Sequence, residues 1–241
     1  MMSDPTLRAA IEGLYATFAK YPLAEHVEGC PCCVSDADHA LLYSAELRQL
    51  DQHDLETFAF KTMSTWGSAD DFRHFLPRIL ELLAEVSPDW IATNVVLTKL
   101  GYGHWLTWPD AEQKAITTFF QALWADILSR FPHRFDAGGY LLGVAEATDE
   151  ASPYLAAWPI AGSLPAAKHF AVFVERHSAG RPADAPSAAN QITAWLRDPA
   201  RRSELEQAFF ALGADDQETA ATLSKAMDTL SMYYGAASAR G

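Results

Sequence analysis

Several things are scarce in this chain, and each scarcity removes a class of protein. Only three cysteines occur, at positions 30, 32 and 33. Three thiols inside four residues cannot build a disulfide framework for a 241-residue chain. Basic residues are also few, 18 against 31 acidic ones, giving a formal net charge of −13. A phosphate backbone binds through Lys and Arg that neutralise it, so nucleic acid is not an expected partner, and an anionic membrane surface is disfavoured for the same reason. The nearest basic cluster, Arg197, Arg201 and Arg202, is interleaved with Asp198, Glu204 and Glu206.

No apolar run approaches the roughly 20 residues that a membrane span needs. The opening Met1-Met2-Ser3-Asp4-Pro5-Thr6 lacks the basic start and apolar core of a signal peptide. A cytoplasmic, reducing compartment is therefore the expectation. Common catalytic motifs are missing as well. There is no G-x-x-x-x-G-K-[ST], no G-x-G-x-x-G after a strand, no G-x-S-x-G, no H-E-x-x-H and no paired E-x-x-H. An enzyme of those kinds is not expected.

What is present is a chain rich in helical signals. Apolar residues make up 49% of it, with seven Trp and thirteen Phe to anchor an interior. Ser3 as N-cap and Pro5 in the first turn open a helix striped by Leu7, Ile11, Leu14 and Phe18, which should stop before Tyr21-Pro22. Short helices are expected around 37–44 and 54–66. Ser68 caps another, with Asp70 and Asp71 favourably placed in its first turn. Its stripe runs through Phe72, Phe75, Leu76, Ile79, Leu80 and Leu83, and Pro77 inside it predicts a kink or short break.

A shorter helix over 91–100 should end at Gly101. The strongest period follows in Ile116, Phe119, Phe120, Leu123, Trp124, Ile127 and Leu128, with Pro132 as a stop. Further helices are expected over 136–147, 153–158 and 165–177. One capped by Asp198 and one capped by Asp215 and boxed by Glu218 finish the chain. Two short runs that could read as strands, 95–97 and 170–174, lie inside helical patterns. The fold class is therefore all-α, a globular multi-helix bundle. The alternative is an irregular α/α stack, whose layout resembles HEAT-like arrays in general architecture only. We expect a single helical domain over 1–241, with a subdomain boundary at Gly180–Pro186 (GRPADAP).

One segment carries specific chemistry: His26-x-x-x-Cys30-Pro31-Cys32-Cys33, with His39 six residues on. Cys30 and Cys33 have the spacing that brings two thiolates to one tetrahedral ion through a tight turn, which Gly29 and Pro31 suit. His26 or His39 could complete a set of two or three thiolates, and thiolates with imidazole select zinc over hard cations. Cys32 and Cys33 are adjacent, so their side chains start in different directions and Cys32 is the least secure ligand. The expected metal set is His26, Cys30, Cys32, Cys33 and His39, acting as a structural clip on a non-enzymatic binding or scaffold protein. The alternative is a thiol-dependent redox enzyme or sensor using Cys30-x-x-Cys33.

A second stretch, Tyr102-Gly103-His104-Trp105-Leu106-Thr107-Trp108, gathers three aromatics and a histidine around a glycine hinge. Tyr102, His104, Trp105 and Trp108 either line a ligand or partner site or plug the gap between two helices; plugging is the expectation. A protein partner or a small-molecule ligand thus remains open. His74 is expected to pair with Asp70 or Asp71 on the helix surface, and His169 and His177 to lie at the surface or its boundary.

Overall fold

The computed structural model describes residues 4–85, 93–177, 187–212 and 216–233. Among them the chain is all-α, with twelve α-helices and no strand. It divides into two compact units, residues 1–123 and 124–241. The expected boundary segment 180–186 lies outside the described residues.

In the first unit, α1 (Pro5–Phe18) is capped by Asp4 rather than Ser3, its carboxylate accepting from Thr6 N at 2.7 Å. The shift by one follows from Pro5, which occupies the first helical position and leaves the preceding residue to cap. Leu7, Ile11, Leu14 and Phe18 are all buried, as the stripe predicts. Helix α2 (Asp36–Leu42) opens on a capping box of Ser35 and Asp38, and α3 (Gln52–Lys61) on one of Asp51 and Asp54.

Helix α4 (Ala69–Glu85) runs through Pro77 without a break and buries Phe72, Phe75, Leu76, Ile79, Leu80 and Leu83. Each such side chain contributes about 1.5–3 kcal/mol by leaving water. That burial outweighs the hydrogen bond which Pro77 cannot donate. α4 packs against α1, α3 and α5 (Thr93–Tyr102), and α3 also packs against α2. α5 carries Gly101 as a helical residue instead of ending there. The division between the units falls within α6 (Asp110–Leu128).

The second unit is organised on α9 (Leu164–His177), which packs against α7 (Ala137–Thr148), α11 (Ala200–Phe210) and α12 (Gln217–Tyr233). The run 170–174 is part of α9, so the strand-like alternative falls away. α10 (Ser187–Arg197) packs against α7, α11 and the short α8 (Ser152–Ala156). The approach of α7 to α9 explains Gly138. A Cβ there would sit 2.6 Å from Cδ2 of Phe173.

Aromatics fill the centre. Trp158 stacks on Trp195 with centroids 5.6 Å apart and receives Trp124 edge-on at 5.0 Å. The indole nitrogens of Trp124 and Trp158 donate to the carbonyls of Tyr154 and Ala166, so their burial leaves no donor unmet. Asp216 caps α12 by accepting from Thr219 N; the expected cap, Asp215, lies outside the described residues.

Candidate metal centre

The loop between α1 and α2 is irregular but closely tied. Tyr43 holds two points of it, accepting from Val27 N at 3.0 Å and donating to the carbonyl of Ala24 at 3.0 Å. Further on, the backbone pairs antiparallel with the segment after α3: Gly67 N donates to the Glu28 carbonyl at 2.7 Å, and Cys30 N to that of Thr65 at 2.8 Å. Gly29 sits between these bonds. A Cβ on it would lie 3.1 Å from the Trp66 indole and 3.2 Å from Val34, so a larger residue would press on both side chains.

The chain then turns once. Cys33 N and Val34 N both donate to the Cys30 carbonyl, at 2.8 and 3.0 Å. Val34 is buried behind the turn, and the Lys61 ammonium donates to the Cys33 carbonyl in front of it. Lys99 holds the opposite segment in the same way, donating to the Thr62 carbonyl at 2.9 Å.

This turn brings all three sulfurs together. Cys30 Sγ lies 2.9 Å from Cys32 Sγ, Cys32 Sγ lies 3.6 Å from Cys33 Sγ, and the whole set falls within 4.8 Å. Zinc–sulfur bonds of about 2.3 Å in a tetrahedron imply sulfur–sulfur edges of roughly 3.8 Å, within the span of this group. The set could therefore hold a metal ion. Cys32, the least secure ligand by sequence, is the middle member. Closing the turn on the Cys30 carbonyl places residues 30, 32 and 33 on one side despite their adjacency.

The thiols are free and not equivalent. Cys30 is held below the usual thiol range by the hydrogen bond it receives from Cys32. Cys32 is pushed up to about 11, because its proton is shared with Cys30 and Cys33 and their negative charge opposes its own. Cys30 thus ionises ahead of Cys32, and a bound cation would have to draw the remaining protons off.

The histidines take another course. His26 and His39 stack on each other, centroids 4.9 Å apart and planes 24° apart, and His39 meets the edge of Trp66 at 5.2 Å. Nδ1 of His39 is buried with no hydrogen-bond partner. No histidine or carboxylate among the described residues joins the three-sulfur group.

The chain matches no protein-family model, and it resembles no curated protein and no solved structure.

The aromatic stretch separates into inside and outside. Trp105 and Trp108 are buried; Trp105 lies edge-on to Phe120, and the Trp108 indole donates to the Gly103 carbonyl at 2.9 Å. Tyr102 and His104 are exposed, His104 in the left-handed region at φ 52°. The two tryptophans are part of the buried interior of the first unit.

Two histidine expectations change, and the boundary position expected of His177 holds. His74 Nδ1 lies 2.8 Å from the Tyr21 carbonyl, to which it donates. Its expected partners are engaged elsewhere: Asp70 pairs with Arg73 at 2.7 Å, and the Asp71 carboxylate accepts from the backbone N and the hydroxyl of Ser68. His169 is buried rather than superficial, its Nε2 2.9 Å from the Arg130 carbonyl, and burial pushes its pKa down. His177 stacks on Phe173 at 4.9 Å and is half-buried.

Two buried polar clusters have no counterpart in the sequence reading. Glu112 has a fully enclosed side chain, 2.7 Å from the Tyr21 hydroxyl, 2.6 Å from Lys20 Nζ and 3.4 Å from Arg73 Nε. The Arg73 guanidinium carbon lies over the Trp108 ring, 4.3 Å from its centroid. In the second unit, Asp126 is buried between Arg130 at 2.6 Å and His133 at 3.3 Å. A signal existed for both. Glu112 is four residues before Ile116 and Asp126 three after Leu123, so each stands on the apolar stripe of α6.

Proposed function

We propose that this protein is a non-enzymatic helical binding or scaffold protein that carries one zinc ion on its Cys30–Cys33 turn. The observation that carries the reading is the convergence of three thiols within 4.8 Å. Soft thiolates select zinc, monovalent copper or iron–sulfur clusters over hard cations, and zinc alone among these has no redox chemistry of its own, as suits a structural clip. A bound ion would fasten the loop between α1 and α2 to the segment after α3, adding to Cys30 N–Thr65 O and Lys61–Cys33 O. A protein or small-molecule partner and a cytoplasmic setting fit the acidic charge and the clustered reduced thiols.

Metal analysis of protein purified without chelator tests the reading. One zinc per chain is expected, with three thiols that titrate only after the ion is removed. Substoichiometric zinc, together with three thiols that titrate freely in the native protein, sinks it.

A second reading draws on the 2.9 Å separation of Cys30 and Cys32. Here the chain is a thiol-dependent redox protein, and the reacting pair is Cys30 with Cys32 instead of Cys30 with Cys33. Rapid alkylation of Cys30 below neutral pH in metal-free protein supports it. Alkylation that follows an ordinary thiol pKa near 8.5 removes it.

A further inference from the structure

The zinc reading leaves the fourth coordination position to be assigned, and the inference here rests on that reading. Four observations bear on it. The three sulfurs come from one turn of four residues, so they approach an ion from one side only. No histidine nitrogen or carboxylate oxygen among the described residues joins them, because His26 and His39 are stacked on each other and His39 is set against Trp66. Cys32 is exposed and Cys30 and Cys33 are half-buried, which leaves the ion within reach of solvent. The Lys61 ammonium is fixed on the Cys33 carbonyl, where it offsets the net negative charge of one divalent ion with three thiolates. Structural zinc sites are closed by four protein ligands, whereas three protein ligands leave a position that water or another ligand fills.

We propose that the Cys30–Cys32–Cys33 centre is an open site: three thiolates hold a divalent thiophilic cation, and water occupies an exchangeable fourth position that an incoming thiolate can take. In that exchange the thiolate–metal bond forms as the water–metal bond breaks, with no change of oxidation state. The ion is therefore accessible to substitution by a competing thiol, unlike one sealed in a four-ligand clip. His39 is the residue that would close the site if it were closed, since its Nδ1 is buried and has no partner.

The test uses the full chain loaded with cobalt in place of zinc, titrated with 2-mercaptoethanol, alongside zinc binding by H26A and H39A. The expected result is a change in the visible cobalt absorption as the thiol enters. Both variants should also keep one zinc per chain, without the roughly 10–100-fold loss of affinity that removing even an outer partner of a ligand brings. A cobalt spectrum indifferent to thiol overturns the open site, and so does loss of zinc from H39A. In either case, stoichiometric zinc in the unaltered protein still upholds the metal reading. If the unaltered protein binds neither zinc nor cobalt, the metal reading falls and the open site falls with it.

Discussion

His133 should make the second unit lose stability in mild acid, and the geometry fixes the direction. Phe135 N donates to Nδ1 at 3.1 Å, so Nδ1 bears no proton and the neutral ring carries its hydrogen on Nε2, which lies 3.3 Å from Asp126 Oδ2 and 3.2 Å from the Arg130 guanidinium. Charging the ring means protonating Nδ1 and breaking the Phe135 bond. Burial and then the Arg130 guanidinium oppose that charge, Asp126 favours it, and the balance sets the pKa at about 4 against an ordinary 6.5.

Above pH 6.5 the ring is neutral whether the chain is folded or not. As pH falls from 6.5 towards 4, only the unfolded chain takes the proton, so stability drops across that window and levels off below it. A gap of about 2.5 pH units at roughly 1.4 kcal/mol each gives about 3 kcal/mol, and solvent screening of the charges brings it to about 2. The comparison is between the unaltered protein and H133N, whose side-chain oxygen can still accept from Phe135 N but does not titrate. Urea unfolding at pH 7.5 and at pH 4 should show the stability difference between the two moving by about 2 kcal/mol against the unaltered protein. Two curves that stay parallel across the window would refute the assignment, as would an NMR titration placing His133 near 6.5.

Three further outcomes follow from burial and ligation. E112A removes the acceptor of the Tyr21 hydroxyl while Arg73 keeps Asp70, so the cost should be that of one unmet buried hydrogen bond, about 1–3 kcal/mol; a drop under about 0.5 kcal/mol by urea unfolding would mean that water replaces the carboxylate. W105A should cost about 3–5 kcal/mol, while Y102A should stay within about 0.5 because the phenol is exposed; equal losses in thermal unfolding would contradict the inside–outside division of that stretch. Zinc at about a hundred times its dissociation constant should stabilise the protein by about 2.7 kcal/mol. That increment should vanish in C30S/C32S/C33S, and a melting temperature that rises equally in the triple variant would show the ion binding elsewhere.

The helices were legible because their determinants are local. The stripe of α4 is decided within four residues of itself, so pattern alone locates it; the boxes Ser35–Asp38 and Asp51–Asp54 are as local, and with them overlooked α3 was expected over 54–66 where it spans Gln52–Lys61. The cap moved by one where two local signals compete, at Ser3 and Asp4; packing removes the break that Pro77 allowed, and α5 runs on through the exposed Gly101. Glu112 and Asp126 escaped for a different reason. A carboxylate on an apolar stripe reads as a flaw in the pattern unless its partners are known, and Tyr21 and Arg73 lie 91 and 39 positions before Glu112.

The candidate metal centre divides along the same line. Its three sulfurs share one turn, so spacing alone foretells that they can meet, and Cys32 was undervalued only because the turn's closure on the Cys30 carbonyl was not visible. The histidines are placed by contacts that no local spacing encodes. Cys30 N reaches the Thr65 carbonyl 35 residues away, and that pairing brings Trp66 over Gly29 and beside His39. Once Trp66 is there, His39 is held between an indole edge and the His26 ring, and it does not enter the sulfur group. Whether the centre is open or closed is therefore decided less by the Cys-Pro-Cys-Cys segment than by the residues after α3 that pin its neighbour.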